Sequence, residues 1–97
     1  MDEINKLIHE PSRLRIMAAL VALEQDAEVD FVFLRDQLRF TDGNLGAHLD
    51  RLQAARYIRA RKAFVKRRPR TFLSLTRTGR RAFDDHVTML KRIIDLE

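Results

Sequence analysis

In the stretch Thr41-Asp42-Gly43-Asn44-Leu45-Gly46-Ala47-His48-Leu49-Asp50-Arg51-Leu52-Gln53-Ala54-Ala55-Arg56, three leucines recur at i, i+4 and i+7. Leu45, Leu49 and Leu52 therefore define one buried face of an α-helix, and Thr41 carries the side-chain oxygen that caps free N–H groups at its start. At about 100° per residue, Gly43, Ala47 and Ala54 point away from the leucines. Asn44 and Arg51 flank them on one side, Gly46 and Asp50 on the other. Each glycine lowers helix stability by about 1 kcal/mol relative to alanine, so two in one helix ask for a reason. Close approach to a groove is one. The plainer account is that Gly43 eases the first turn and Gly46 reflects drift.

Downstream, Tyr57 to Val65 reads as a strand with Ile58, Ala60 and Phe64 on one face and Arg59 and Arg61 on the other. Thr71 to Leu75 is its expected partner. Between them stands Lys66-Arg67-Arg68-Pro69-Arg70. With no glycine there, a tight two-residue turn is disfavoured, and a longer projecting loop is expected. Upstream, Pro11 and Ser12 signal a helix start, with Ser12 as the expected cap. From Leu14 to Leu23 that helix is apolar almost all round, which makes it the hub of the core or a layer between core and partner subunit. After a polar break at Gln25 to Glu28, Val29 is a candidate short strand. Asp30 can then cap a short second helix with Phe31, Leu34 and Leu38 inward.

Thr76 caps a last helix, from about Arg77 to Leu96. In it Phe83, Val87, Leu90 and Ile94 form one stripe and Ala82, His86, Met89, Ile93 and Leu96 an adjacent one. That is more apolar width than one small core needs. With Ile4, Leu7 and Ile8 near the N-terminus, it points to a contact between two copies, unless the N-terminal segment simply covers the hub helix.

The charge distribution points outward. Of the 19 Lys and Arg residues, 12 lie between Arg51 and Arg81, where there is no Asp or Glu, and the chain carries +5 overall. A single-sign block repels itself and is kept where a polyanion must be met, most often nucleic acid phosphate. At 97 residues the expectation is a single domain, with a core over about 12–76 and flanking segments 1–11 and 77–97. A second, ligand-sensing domain is not expected at this length. The absence of cysteine removes disulfides and thiolate chemistry, and cytoplasm is the default. The longest apolar run, Ile16 to Leu23, is too short to span a bilayer, so a soluble chain without membrane contact is expected. No metal and no cofactor is expected, since His9, His48 and His86 share no ligand spacing. An enzyme is the poorest class, because there is no nucleophile with an orienting base and no phosphate loop.

Two helices joined by a turn, a third with a small outer face and then a basic hairpin make the order of a winged helix-turn-helix. The fold class is thus mainly α with a small β-hairpin. The residues resemble the small stand-alone winged-helix transcriptional regulators of the MarR and ArsR superfamily. The landmarks are His9 to Leu14 with Ile16, Thr41 to Leu45 with His48-Leu49 and Leu52, Tyr57-Ile58, Arg67 to Thr71, and Leu75-Thr76 with Gly79-Arg80. The resemblance covers nearly the whole chain. It implies a homodimeric DNA-binding repressor or regulator, with a recognition helix over about 41–56 and a wing over about 57–76. The terminal helices would form the dimer contact through Ile4, Leu7, Ile8, His86, Met89, Leu90, Ile93 and Leu96. Two residues depart from the family pattern. Gly46 replaces a small polar residue, which removes one expected contact. Arg56 stands where a glycine usually ends the helix, so a different helix end is expected, with Arg56 as a phosphate contact.

The expected DNA-binding residues are Thr41, Asp42, Gly43, Asn44, Ala47, His48, Arg51, Arg56, Lys66, Arg67, Arg68 and Arg70. Asn44 suits adenine, and Arg51 suits guanine or phosphate. Thr41 fits backbone positioning with the free N–H groups. Arg67, Arg68 and Arg70 suit phosphate or a narrow minor groove, and Lys66 adds charge. His48, about 70° from the leucine stripe, can equally pack at the core edge. The alternative to duplex DNA is a winged helix used for RNA binding or protein assembly. The sequence names no small-molecule effector.

Overall fold

The computed structural model describes residues 4–95. The chain runs α1 (Lys6–His9), α2 (Pro11–Val21), β1 (Val29–Asp30), α3 (Phe31–Leu38), α4 (Asp42–Ala54), β2 (Ile58–Val65), β3 (Arg68–Leu75) and α5 (Arg77–Ile94). The strands form one antiparallel sheet in the order β1-β3-β2. The short strand at Val29 pairs Val29 with Leu73 and Asp30 with Phe72. This is a helix-rich winged helix-turn-helix, as the sequence order implies.

Three of the four caps fall where the sequence puts them. Asp30, Thr41 and Thr76 accept from the backbone N–H of Phe33, Asn44 and Gly79 respectively. The fourth differs: α2 is capped by Glu10, whose Oε1 accepts from Arg13 N at 2.9 Å, while Pro11 occupies the first turn. Ser12 is therefore inside the helix. The bond from the Arg13 amide holds the Glu10 carboxyl below its ordinary value.

Ile16, Met17 and Leu20 of α2 meet Ile8, Leu34, Leu45, Leu49, Leu52, Ile58 and Leu73 in one buried cluster. Each such side chain contributes about 1.5–3 kcal/mol when fully removed from water. α2 is thus the hub, although its Ala18 and Ala22 face solvent. Ile8 has no exposed surface, His86 is 2% exposed and Met89 7%. These three, expected at a dimer contact, are used up inside the chain itself because the hub needs cover from α1 and α5. Ile4, Leu7, Leu90 and Ile93 keep accessible surface, and Ile94 stands 74% exposed beside them. Leu96 lies outside the described residues.

Two backbone expectations are overturned. The hairpin closes through a two-residue turn: Val65 pairs with Arg68, and Lys66 (φ 52°) and Arg67 (φ 67°) are both left-handed, as a type I′ turn requires. Strain of order 1 kcal/mol per residue is outweighed by the ladder on either side, which runs the full length of both strands. Likewise α4 ends as a glycine-terminated helix would. Arg56 adopts φ 65°, its N–H bonds to Gln53 O at 2.9 Å, and Tyr57 N bonds to Leu52 O at 3.0 Å. The radius of gyration is 14.3 Å and the long axis 56 Å. About 13 Å is usual at 100 residues, so the body is elongated.

Candidate nucleic-acid interface

The leucines of α4 are buried and its other face is open. Gly43, Asn44, Ala47, Asp50, Arg51, Gln53 and Ala54 are all exposed. Among the described residues, a Cβ added at Gly43 or Gly46 would meet nothing within 4 Å. Neither glycine therefore serves packing within the chain, and the small face is presented outward.

The helix is fixed at its start by three contacts. Thr41 Oγ1 accepts from Asn44 N at 3.1 Å. Asp42, favourably placed for the helix dipole, accepts from Arg35 Nη1 at 2.7 Å, and the same guanidinium donates Nε to Asp36 at 2.9 Å. The two carboxylates, Asp36 first, push the Arg35 pKa further up. Arg35 thus ties α3 to α4 and pairs the charge of the Asp42 carboxylate. The third contact is the connecting turn, where Arg39 is left-handed (φ 62°) and Phe40 N bonds to Arg35 O at 3.0 Å. The Phe40 ring lies beneath the Arg15 guanidinium at 5.1 Å and beside the His48 ring at 6.1 Å.

His48 is turned inward. Its Nδ1 is 3.1 Å from Arg13 Nη1, and Arg13, only 8% exposed, also donates Nε to Leu7 O at 2.6 Å. Since a guanidinium only donates, Nδ1 accepts. The half-buried ring takes the core-edge position.

On the wing, the cations divide into paired and free. Arg61 donates two bonds to Glu28, at 2.7 and 2.8 Å, and stacks over Phe72 at 4.7 Å. That pair raises the Arg61 pKa and lowers that of Glu28. Arg70 lies 3.8 Å from Asp30. Among the described residues no ion pair engages Lys66, Arg67 or Arg68, all of which are exposed. At the base of the wing, Arg56, Arg59 and Arg77 line one shallow cleft with Asp26, Thr76 and Thr78.

The interface therefore has an outward small face on α4, free cations at the wing tip and an arginine-lined cleft where α4, β2 and α5 meet. Of the expected residues, Thr41, Gly43, Asn44, Ala47, Arg51, Arg56, Lys66, Arg67, Arg68 and Arg70 are exposed. Asp42 is exposed but ion-paired, Arg70 is ion-paired as well, and His48 is half-buried. Sequence reasoning missed Arg35 as the partner of Asp42. The seven-residue separation of two opposite charges across a helix-turn-helix was the signal available. Among the described residues no group of His, Asp or Glu could hold a metal ion, and no helix is long and apolar enough to cross a membrane.

The chain is similar to several known proteins. An uncharacterized protein of Methanocaldococcus jannaschii is 33% identical over 82 residues, 84% of this chain and 86% of that protein. The structure of a transcriptional regulator homologue protein from Pyrococcus horikoshii OT3 superposes with a TM-score of 0.84 at 27% identity, covering 94% of this chain and 87% of that one. A protein of Streptococcus mutans UA159 shares the fold, with a TM-score of 0.62 at 18% identity over 84% of each chain. Residues 12–94 match the winged helix DNA-binding domain, a span that takes in the core, α4, the wing and α5, and the chain belongs to that family.

Proposed function

We propose that this chain is a transcriptional regulator, acting as a repressor, that binds specific duplex DNA as a homodimer. α4 enters the major groove, and the wing meets the backbone or the adjacent minor groove. The observation that carries the reading is the pairing of an outward α4 face with no Cβ at Gly43 or Gly46 and a wing tip whose Lys66, Arg67 and Arg68 form no ion pair among the described residues. The first lets a helix sit deep in a groove, and the second leaves cations available to phosphate. The Pyrococcus horikoshii relative, a transcriptional regulator homologue, supports the regulatory part.

Within this reading Asn44 and Arg51 read base edges, and Thr41, Arg56, Lys66, Arg67, Arg68 and Arg70 position the backbone. Asp42 acts through Arg35. The dimer forms through Ile4, Leu7, Leu90, Ile93 and Ile94, whose exposed surface continues the apolar side of α5. The whole chain acts as one domain. Repression follows from occlusion: a dimer on two half-sites about 34 Å apart covers duplex that another protein then cannot use.

Titration against duplex DNA at several salt concentrations tests the reading. Affinity falls steeply with salt, by a logarithmic slope near −0.9 per phosphate neutralised. Joint replacement of Arg67, Arg68 and Arg70 by alanine weakens binding to all sequences, whereas Asn44→Ala changes preference at particular positions. A flat salt dependence, or tighter binding to structured RNA, would overturn it.

A further inference from the structure

Phe64 is 77% exposed, the most exposed of the large apolar side chains described. It lies directly opposite Pro69 in the hairpin register, two residues before the turn. Ile58, Ala60, Lys62 and Phe64 share one face of β2 by alternation, with Leu75, Leu73, Thr71 and Pro69 opposite them on β3. At the body end this face is the core face, since Ile58 and Leu73 are buried in the cluster that contains Leu45, Leu49 and Leu52 of α4. Phe64 and Pro69 continue the same row beyond the core. They therefore project on the side of the sheet that packs on the recognition helix.

The surroundings select the kind of partner. Lys66, Arg67 and Arg68 lie within four residues of Phe64 and are exposed without ion pairs among the described residues, and Arg70 is exposed next to Pro69. An apolar protein pocket would have to desolvate these cations, whereas a nucleic acid groove pairs them with phosphate. The step from Ile58 to Phe64 is ~20 Å along an extended strand. Adjacent grooves of a duplex are offset by ~17 Å, half of a helical turn. The two-residue turn keeps the tip a short stiff blade, with Phe64 and Pro69 as a cross-strand pair.

We propose that Phe64, backed by Pro69, is an apolar wedge that enters the minor groove beside the α4 site, partly unstacks a base step and kinks the duplex. This rests on the duplex-binding reading and adds a selectivity the α4 contacts do not supply. Pyrimidine–purine steps, which unstack most easily, are favoured under the wing although no side chain hydrogen-bonds to them.

The test uses the full chain and a duplex recovered from a random pool, with end-labels for energy transfer and 2-aminopurine at the step beneath the wing. The parent chain shortens the end-to-end distance, by a bend of about 20–90°, and raises 2-aminopurine fluorescence. Phe64→Ala, at a solvent-exposed site, binds with the same salt slope but without bending or the fluorescence rise. Phe64→Leu, which retains an apolar wedge, restores both in part. Bending by Phe64→Ala equal to the parent, or duplex binding by the parent without any bend, would overturn the wedge and leave the duplex reading intact. Failure of the parent to bind any duplex would overturn both.

Discussion

Gly79 in the first turn of α5 lies against the carbonyl of Tyr57 so closely that a Cβ at Gly79 would collide with that oxygen. Thr76 Oγ1 donates its one proton to Arg56 O at 2.6 Å, with Tyr57 O also 3.0 Å away, and it accepts from Gly79 N at 2.9 Å. The end of α4, the entry to the wing and the start of α5 are thus one bonded unit. Gly79→Ala must force backbone from backbone, and a loss of about 3 kcal/mol is expected. Thermal unfolding checks it, and an unchanged melting temperature would show that the approach is looser.

Gly43 and Gly46 should behave oppositely. With open space at both positions, alanine at either stabilises the fold by about 1 kcal/mol through helix propensity. The added methyl thickens the outward face of α4, so duplex affinity falls while the melting temperature rises. Unchanged affinity in the double variant would remove the groove argument for these glycines.

The wing turn offers a separation of stability from charge. Replacing Lys66-Arg67, both at positive φ, by Asn-Gly supplies residues suited to a type I′ turn and should stabilise the chain by about 1 kcal/mol. The same change removes two cations, so the salt slope of duplex binding becomes shallower by up to about 0.9 per lost phosphate contact. Denaturant melts and salt titrations on one variant measure both.

His86 gives a pH dependence. It is 2% exposed, its Nε2 is 3.2 Å from His9 Nδ1, and its own Nδ1 has no hydrogen-bond partner among the described residues. Burial, followed by the charge of His9, lowers its pKa below 6.5. As pH falls the unfolded chain therefore takes up this proton first. The stability it contributes is complete above 6.5 and drains as pH falls through the lower folded value. The urea midpoint should drop as pH falls below 6.5, and His86→Phe should flatten that part of the profile. A parallel profile in the variant would assign the effect elsewhere.

Local chemistry was legible in the sequence and long-range geometry was not. The leucine stripe of α4 and the caps at Asp30, Thr41 and Thr76 depend on residues within one or two turns, and periodicity finds them. The left-handed backbone at Arg56, Lys66 and Arg67 opposes local preference. It is imposed by the β2–β3 ladder and by the bonds between Tyr57 and Thr76, which no local window contains. Ile8 and His86 read as surplus apolar surface because the need to cover α2 is visible only once α1 and α5 lie against it. The helical wheel leaves two orientations for His48, and its inward turn follows from Arg13, 35 residues away.

Selection from a random duplex pool, sequenced after several rounds at moderate salt, tests the central claim most directly. Enrichment of a two-fold symmetric motif with half-sites about one helical turn apart, ~34 Å, is the predicted result, with its information content concentrated where Asn44 and Arg51 face the bases. Absence of any enriched motif, or a motif without symmetry, would contradict a dimeric, sequence-specific duplex DNA regulator.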